Sequence, residues 1–350
     1  MRGAGARWAL GLGAMALALA AALALGWQAR QRAPAQPAPQ ASSACALPAQ
    51  DPGAAHAGMV WVPAGAYTPG DTVYPEERPA GRVRVEGFWM DRTEVTNAQF
   101  ARFVQASGYV TVAERPVDAA RHGPGMPAEL LRPGALVFSP PDRLSAGMDA
   151  NAWWRYVPGA HWRQPGGPGT DLQGRDDHPV VALTVDDARA YAAWLGRELP
   201  SEAQWEWAAR AARDEAMPLK EQPRQANTWQ GPFPVNNSRA DGFASLAPVG
   251  CYAPNALGLY DMVGNVWELT ADAYGLHGQE GGPPISVRAG PARQVVIKGG
   301  SFLCSPDYCM RYRPGARQPQ DEDLGASHVG FRTVLRAAPP AAGAAPGNQP

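Results

Sequence analysis

Cys304 and Cys309 lie five positions apart in the run GGSFLCSPDYC. On an ideal helix their side chains would diverge by about 140°, and on a strand they would fall on opposite faces, so only a turn brings both sulfurs to one point. Ser305-Pro306-Asp307 supplies the residue types for that turn. Converging thiols can close a disulfide or hold a soft ion such as Cu(I), whereas structural zinc wants four ligands. Spacing alone leaves the disulfide and the metal both open. A second group of residues suits a hard cation. Asp241-Gly242-Phe243 and the run Asp261 to Glu268 set carboxylates among glycines and exposed carbonyls, a mixture that suits Ca²⁺. Such Asp and Asn residues more commonly just close turns through local hydrogen bonds.

Other chemistries lack their patterns. The six histidines are scattered with no pair three to five apart, so a helical His-Glu-x-x-His zinc site is absent. There is no Gly-x-Ser-x-Gly elbow and no Walker loop. With 31 Lys plus Arg against 32 Asp plus Glu the formal charge is −1, and only Lys220 and Lys298 are lysines. The arginines are spread among acids, which argues against a nucleic-acid groove and predicts no nucleic-acid partner.

These groups must be positioned by short elements, because 39 glycines and 36 prolines in 350 residues leave little room for long helices. A 45% hydrophobic content is nevertheless enough for a real core. Val60-Trp61-Val62 and Arg82-Val83-Arg84-Val85 read as short strands, the second strictly alternating. Thr96 with Gln99 makes a capping box, followed by Phe100, Phe103 and Val104 on one helical face and a stop at Gly108. A second helix starts near Thr184 with Ala188, Tyr191, Ala192 and Leu195 as its apolar stripe and Gly196 at its end. A third begins at the Ser201/Gln204 box and buries Trp205, Ala208 and Ala209. From 227 to 336 regular periodicity is nearly lost, and the loops need side-chain hydrogen bonds, water or ions to satisfy their backbone.

The ends of the chain read differently. Trp8 to Trp27 is a charge-free apolar stretch after Arg2 and Arg7, long enough to span hydrocarbon. Residues 1–27 are therefore expected to be a signal anchor, retained in the membrane, or a signal peptide if cleaved. Residues 28–57 form an Ala/Pro-rich linker, 58–336 the folded unit, and 337–350 a disordered tail. Cys45 reads as a linker thiol ahead of a lipid-attachment site, and Cys251 as a small buried residue with no evident partner.

The runs GMVWVPAGAYTPG, FWMDRTEVTNAQFARFV, GLYDMVGNVWELTAD and VIKGGSFLCSPDYCMRYRPGAR, closing in VGFR, resemble the formylglycine-generating enzyme family, the sulfatase-modifying factors, over essentially all of 58–336. The cysteine pair is similar to that of its oxidase branch. The resemblance implies an α/β (α+β) fold, compact, poor in regular structure and distantly C-type-lectin-like. It implies that Cu(I) sits between Cys304 and Cys309. The thiol of a Cys-x-Pro-x-Arg segment in an unfolded or nascent sulfatase would join it, and O₂, with an external reductant, would oxidise that cysteine to Cα-formylglycine. Ser301, Tyr308 and Arg313 match active-site positions of the family, and Trp267 is a candidate pocket wall. One family Ca²⁺ site falls on Asn227, Asp241 and the carbonyls of Thr228 and Phe243. The other falls on Asp261, Glu268 and the carbonyls of Gly264 and Val266, with Glu77 as a further candidate.

Departures from the family pattern include Ser305 in place of a histidine, Pro314 and Thr333 in place of structural cysteines, and a short 213–225 loop. A catalytically silent lectin-like binding or scaffold module is the alternative reading, opposed by the cysteine pair. The expected location is membrane-anchored and facing the periplasm or cell exterior, or secreted if the first segment is cleaved.

Overall fold

The structure, a computed structural model, describes residues 45, 56–79, 81–117, 125, 127–141, 143, 152–214, 223, 225–275 and 293–336. The apolar segment 1–27, the tail 337–350, nearly all of the linker 28–57 and most of the 213–225 loop lie outside the described residues. No helix among the described residues is long and apolar enough to cross a membrane.

The architecture is mixed α/β with short elements. Strands β1 (Met59–Val62), β4 (Phe88–Asp91) and β11 (Val334–Leu335) form an antiparallel sheet with β4 in the middle. Strands β2 (Gly65–Tyr67) and β3 (Val83–Val85) pair beside it in sequence, as do β5 (Gly134–Phe138) and β6 (Trp154–Pro158). The largest sheet has the order β10-β7-β8-β9, with β7 (Trp267–Ala273), β8 (Gln294–Lys298) and β9 (Arg317–Asp321) antiparallel and β10 (Val329–Gly330) parallel to β7. In β3, Arg84 is exposed and Val85 buried, the alternation its sequence predicts.

Among the described residues three α-helices, α1 (Asn97–Ser107), α2 (Val185–Trp194) and α3 (Glu202–Ala209), start at the expected caps. The Thr96 and Ser201 hydroxyls accept the backbone N–H of Gln99 and Gln204, whose side chains return the bond. Thr184 and Asp187 make a third such box, satisfying amide groups that a helix start leaves without partners. Gly108 ends α1 at φ +68, where a side chain would be strained. The stripe of α2 is shorter than its pattern suggests, since Leu195 is 36% exposed.

One core packs Phe100, Phe103, Trp162, Tyr191, Trp267, Ile297 and Phe331 together with both Cys304 and Cys309. A second packs α3, through Trp205, Trp207 and Ala208, against Val62, Phe88, Met90 and Val334. Between them runs a buried polar row. Lys298, fully buried at the end of β8, reaches Glu206 at 3.0 Å, and Glu206 also binds Arg210. Breaking such a pair would leave an uncompensated buried charge, costing about 3–5 kcal/mol.

The expectation for two cysteines is corrected here. Cys45 and Cys251 are joined in a disulfide across a sequence separation of 206, so neither is an isolated thiol. No local pattern announces a partner that distant; only the fold brings residue 251 to residue 45.

Candidate active site

The site is built where β8 ends. Gly299 and Gly300 both have positive φ, and a Cβ on Gly300 would lie 2.8 Å from the carbonyl oxygen of Arg311, so only glycine lets the two halves of this loop approach. The Gly299 carbonyl accepts the Gly264 N–H and the Phe302 N–H donates to the Asn265 carbonyl. The loop is thus stitched to the Asp261–Glu268 segment on both sides of Ser301.

From there the chain turns back on itself. The Cys304 N–H donates to the Ser301 carbonyl and the Cys309 N–H to the Ser305 carbonyl, each at 2.9 Å. The Ser305 hydroxyl donates to Asp307. This is the turn that spacing requires, and it brings Cys304 Sγ to 3.0 Å from Cys309 Sγ, with both residues buried and free of any disulfide. Burial pushes the Cys304 thiol up. The hydrogen bond from Cys304 pulls Cys309 down to about 7, helped against its burial by the Arg311 charge. The two sulfurs are thus driven apart in acidity, Cys309 giving up its proton more readily than Cys304, and it is the thiolate form of sulfur that binds soft metal.

Around the pair, Ser301 is fully buried and its hydroxyl accepts the Leu303 N–H. Tyr308 is 38% exposed, stacked on Phe233 with ring centroids 4.2 Å apart and edge-on to Trp153 at 5.6 Å. Its phenol is pushed up to about 12 by burial, so it remains protonated at neutral pH. Trp267 lies in β7 within the core that holds both cysteines. Arg313 lies against the 71–77 segment. It is fully buried and occupied by Asp71, Glu77 and the Met310 carbonyl. Arg311, which sequence reasoning passed over, is the cation whose charge helps lower Cys309, and its guanidinium is held by Glu76 and the Tyr74 ring.

The oxygen-rich segments assemble beside this turn. Asp241 accepts the N–H groups of Thr228 and Phe243, and Asn227 donates to Asn265 and to the Ser245 carbonyl, so Asn227, Thr228, Asp241 and Phe243 converge. In the second set Asp261 accepts the Gly250 backbone N–H, while both oxygens of Glu268 hold Arg332 and one also accepts the Trp205 indole N–H. Glu77 does not join that set; its carboxylate pairs with Arg313, and burial raises it to about 6. The residue missed there is Glu94, fully buried, whose carboxyl is pushed well up by burial and then by the Asp261 charge, and whose Oε2 has no hydrogen-bond partner among the described residues. Three buried carboxylates, Glu94, Asp261 and Glu268, thus face one guanidinium, that of Arg332. Such a surplus of negative charge suits a cation or a proton. Among the described residues no three His, Cys, Asp or Glu side chains converge as a metal site, so an ion here would depend largely on carbonyl oxygens.

The pattern of the family described as the sulfatase-modifying factor enzyme 1-like domain matches residues 44–337. The chain belongs to that family. A Mycobacterium tuberculosis protein named formylglycine-generating enzyme is 45% identical over 290 residues, covering 79% of this chain and 97% of that protein. A Thermomonospora curvata protein of the same name is 41% identical over 307 residues, covering 82% of this chain and 96% of that one. Among solved structures, PvdO from Pseudomonas aeruginosa matches with a TM-score of 0.50 and 25% identity over 79% of this chain and 93% of that chain. In this sulfatase-modifying factor member, the buried sulfur pair and Tyr308 sit on one turn, with Phe233 stacked on Tyr308 from a separate segment and backbone bonds fastening the turn to its neighbours.

Proposed function

We propose that the chain is a formylglycine-generating oxidase that converts the cysteine of a sulfatase Cys-x-Pro-x-Arg segment to Cα-formylglycine, using Cu(I) on Cys304 and Cys309 and O₂ with an external reductant. The observation that carries this reading is the pair of buried sulfurs 3.0 Å apart in a chain 45% identical to a protein of that name. Two thiolates with no third side-chain ligand are a donor set that fits a soft monovalent ion and leaves coordination open. When bound, copper would supply dioxygen activation and an anchoring point for the substrate thiol.

The chain's own residues do the rest. Burial of Cys304 and Cys309 excludes water from the sulfurs, and the Cys304 hydrogen bond keeps Cys309 ready to give up its proton. Tyr308, half exposed and still protonated, offers a hydroxyl and an aromatic edge to an incoming peptide, and Phe233 holds its ring in place. Ser301 closes the inner wall beside Cys304. Ca²⁺ at Asn227, Thr228, Asp241 and Phe243, and at Asp261, Gly264 and Val266, with Glu268 and Glu77 left to their arginine partners, would add to the hydrogen bonds that hold loops lacking helix or strand. The Cys45–Cys251 disulfide supports placement outside the reducing cytosol, at the membrane or beyond it.

The test is to incubate the full chain with Cu(I), O₂, a reductant and a Cys-x-Pro-x-Arg peptide and to look for the aldehyde by mass spectrometry. Copper bound without aldehyde would leave the silent binding module in its place.

A further inference from the structure

Ser305, one of the departures from the family pattern, is fully buried, and its hydroxyl donates to Asp307 Oδ1. The other oxygen of that carboxylate, Oδ2, accepts the backbone N–H of Phe233 at 3.2 Å, from a segment 74 residues away in sequence. Phe233 lies between Pro232 and Pro234. Neither proline has an N–H, so Phe233 carries the one backbone donor of that three-residue stretch, and Asp307 takes it. The Phe233 ring is a hub for the aromatic residues around the sulfur turn. Its centroid lies 4.2 Å from that of Tyr308, 5.1 Å from Trp229, 5.6 Å from Trp153 and 5.8 Å from Phe138.

Asp307 thus holds the Tyr308–Phe233 stack from both sides. It precedes Tyr308 in the chain, and its carboxylate grips the backbone under the ring that Tyr308 stacks on. A ring that is 38% exposed could otherwise change rotamer, and fixing it beforehand lowers the ordering cost when a ligand arrives. We propose that Asp307 is a positioning residue for the peptide substrate: oriented by the Ser305 hydroxyl, it anchors Phe233 and so holds Tyr308 in the pose that meets the peptide. The proposal rests on the formylglycine-generating reading above. Its effect falls on peptide binding, because the turn that sets the two sulfurs keeps its own bonds, from the Cys309 and Tyr308 N–H groups to the Ser305 carbonyl.

The experiment is steady-state turnover of a Cys-x-Pro-x-Arg peptide by the full copper-loaded chain and by Asp307→Ala, Asp307→Asn, Phe233→Leu and the Asp307→Ala/Phe233→Leu double variant, each checked for fold by circular dichroism. Asp307→Ala should raise KM by about fivefold or more while kcat stays within about twofold, the pattern of lost peptide binding with the chemistry intact. Asp307→Asn keeps an oxygen for the Phe233 N–H and an amide for the Ser305 hydroxyl, so it should recover most of the loss. Phe233→Leu keeps the N–H but removes the stacked ring and should raise KM to a similar extent. The double variant should be no worse than the more damaged single one, since both changes break the same support. Unchanged KM in Asp307→Ala, a loss in kcat in place of KM, no recovery in Asp307→Asn, or additive losses in the double variant would each overturn the proposal. If Asp307→Ala does not fold, Asp307→Asn and Phe233→Leu decide: KM raised in Phe233→Leu and near normal in Asp307→Asn supports it, and any other pattern overturns it. No aldehyde from the unmodified chain would remove the catalytic reading and this inference together, whereas normal turnover with indifferent variants removes only the inference.

Discussion

The backbone N–H of Trp229 donates to the carbonyl oxygen of Cys304 at 3.0 Å, tying the loop that begins at Asn227 to the turn that carries the sulfurs. The preceding residue, Thr228, is held by Asp241. A change at Asp241 is therefore transmitted to Cys304 through two residues of backbone. Asp241→Ala should cost about 1–3 kcal/mol, since it leaves two amide groups without their acceptor, and should lower aldehyde formation as well as the melting temperature. Calorimetry and the peptide assay, run side by side, check both. A lower melt with undiminished turnover would show that the two segments are not coupled.

Removing calcium with a chelator should act in the same direction. The oxygen-lined segments 227–243 and 261–266 contain no helix or strand, so an ion bound there contributes directly to stability by mass action. The expected result is a lower melting temperature, restored by Ca²⁺ but not by Mg²⁺, which prefers a tighter octahedral shell. A melt insensitive to verified calcium depletion would count against the assignment.

Cys304→Ser or Cys309→Ser should abolish Cu(I) binding and reduce turnover by about 10²-fold or more, ~2.7 kcal/mol or above. The fold should survive either change, because serine is nearly the same size and the turn is held by backbone bonds to Ser301 and Ser305. Full turnover in either variant would refute a mechanism that needs both sulfurs.

The pH dependence follows from the sulfur pair. Cys309 is lowered to about 7 by the Cys304 hydrogen bond, so it is ionised above that value and gains a proton below it. Alkylation of the metal-free protein by iodoacetamide, followed by mass spectrometry at this residue, should therefore fall as pH drops through about 7. Cys304→Ala removes the donor and should move that limb to higher pH. An unmoved limb would mean that Arg311 or another group sets the ionisation.

Local chemistry was readable from sequence where a short stretch decides it. The capping boxes at Thr96 and Ser201, the alternation of Val83 to Val85, and the need for a turn between Cys304 and Cys309 all depend on neighbours within a few residues. What escaped depends on distance. Glu94 meets Asp261 only because β4 leads into α1 beside the long loop, and Arg313 is diverted by Asp71 and Glu77, more than two hundred residues earlier. The signal for Arg311 was present, a basic residue two after a cysteine, but the fold had to show that Arg313 is taken up by Asp71 and Glu77 while Arg311 pairs with Glu76.

The strap between Cys45 and Cys251 sets a condition on how this protein must be made. Four sulfurs can be joined completely in three ways, and every one of them consumes Cys304 and Cys309. On the proposed two-thiolate mechanism, the working form is the half-oxidised chain, with one bond closed and one pair left open. On that mechanism a host that reduces everything forfeits the strap and one that oxidises everything removes the open pair, so the yield of competent protein becomes a question of redox timing.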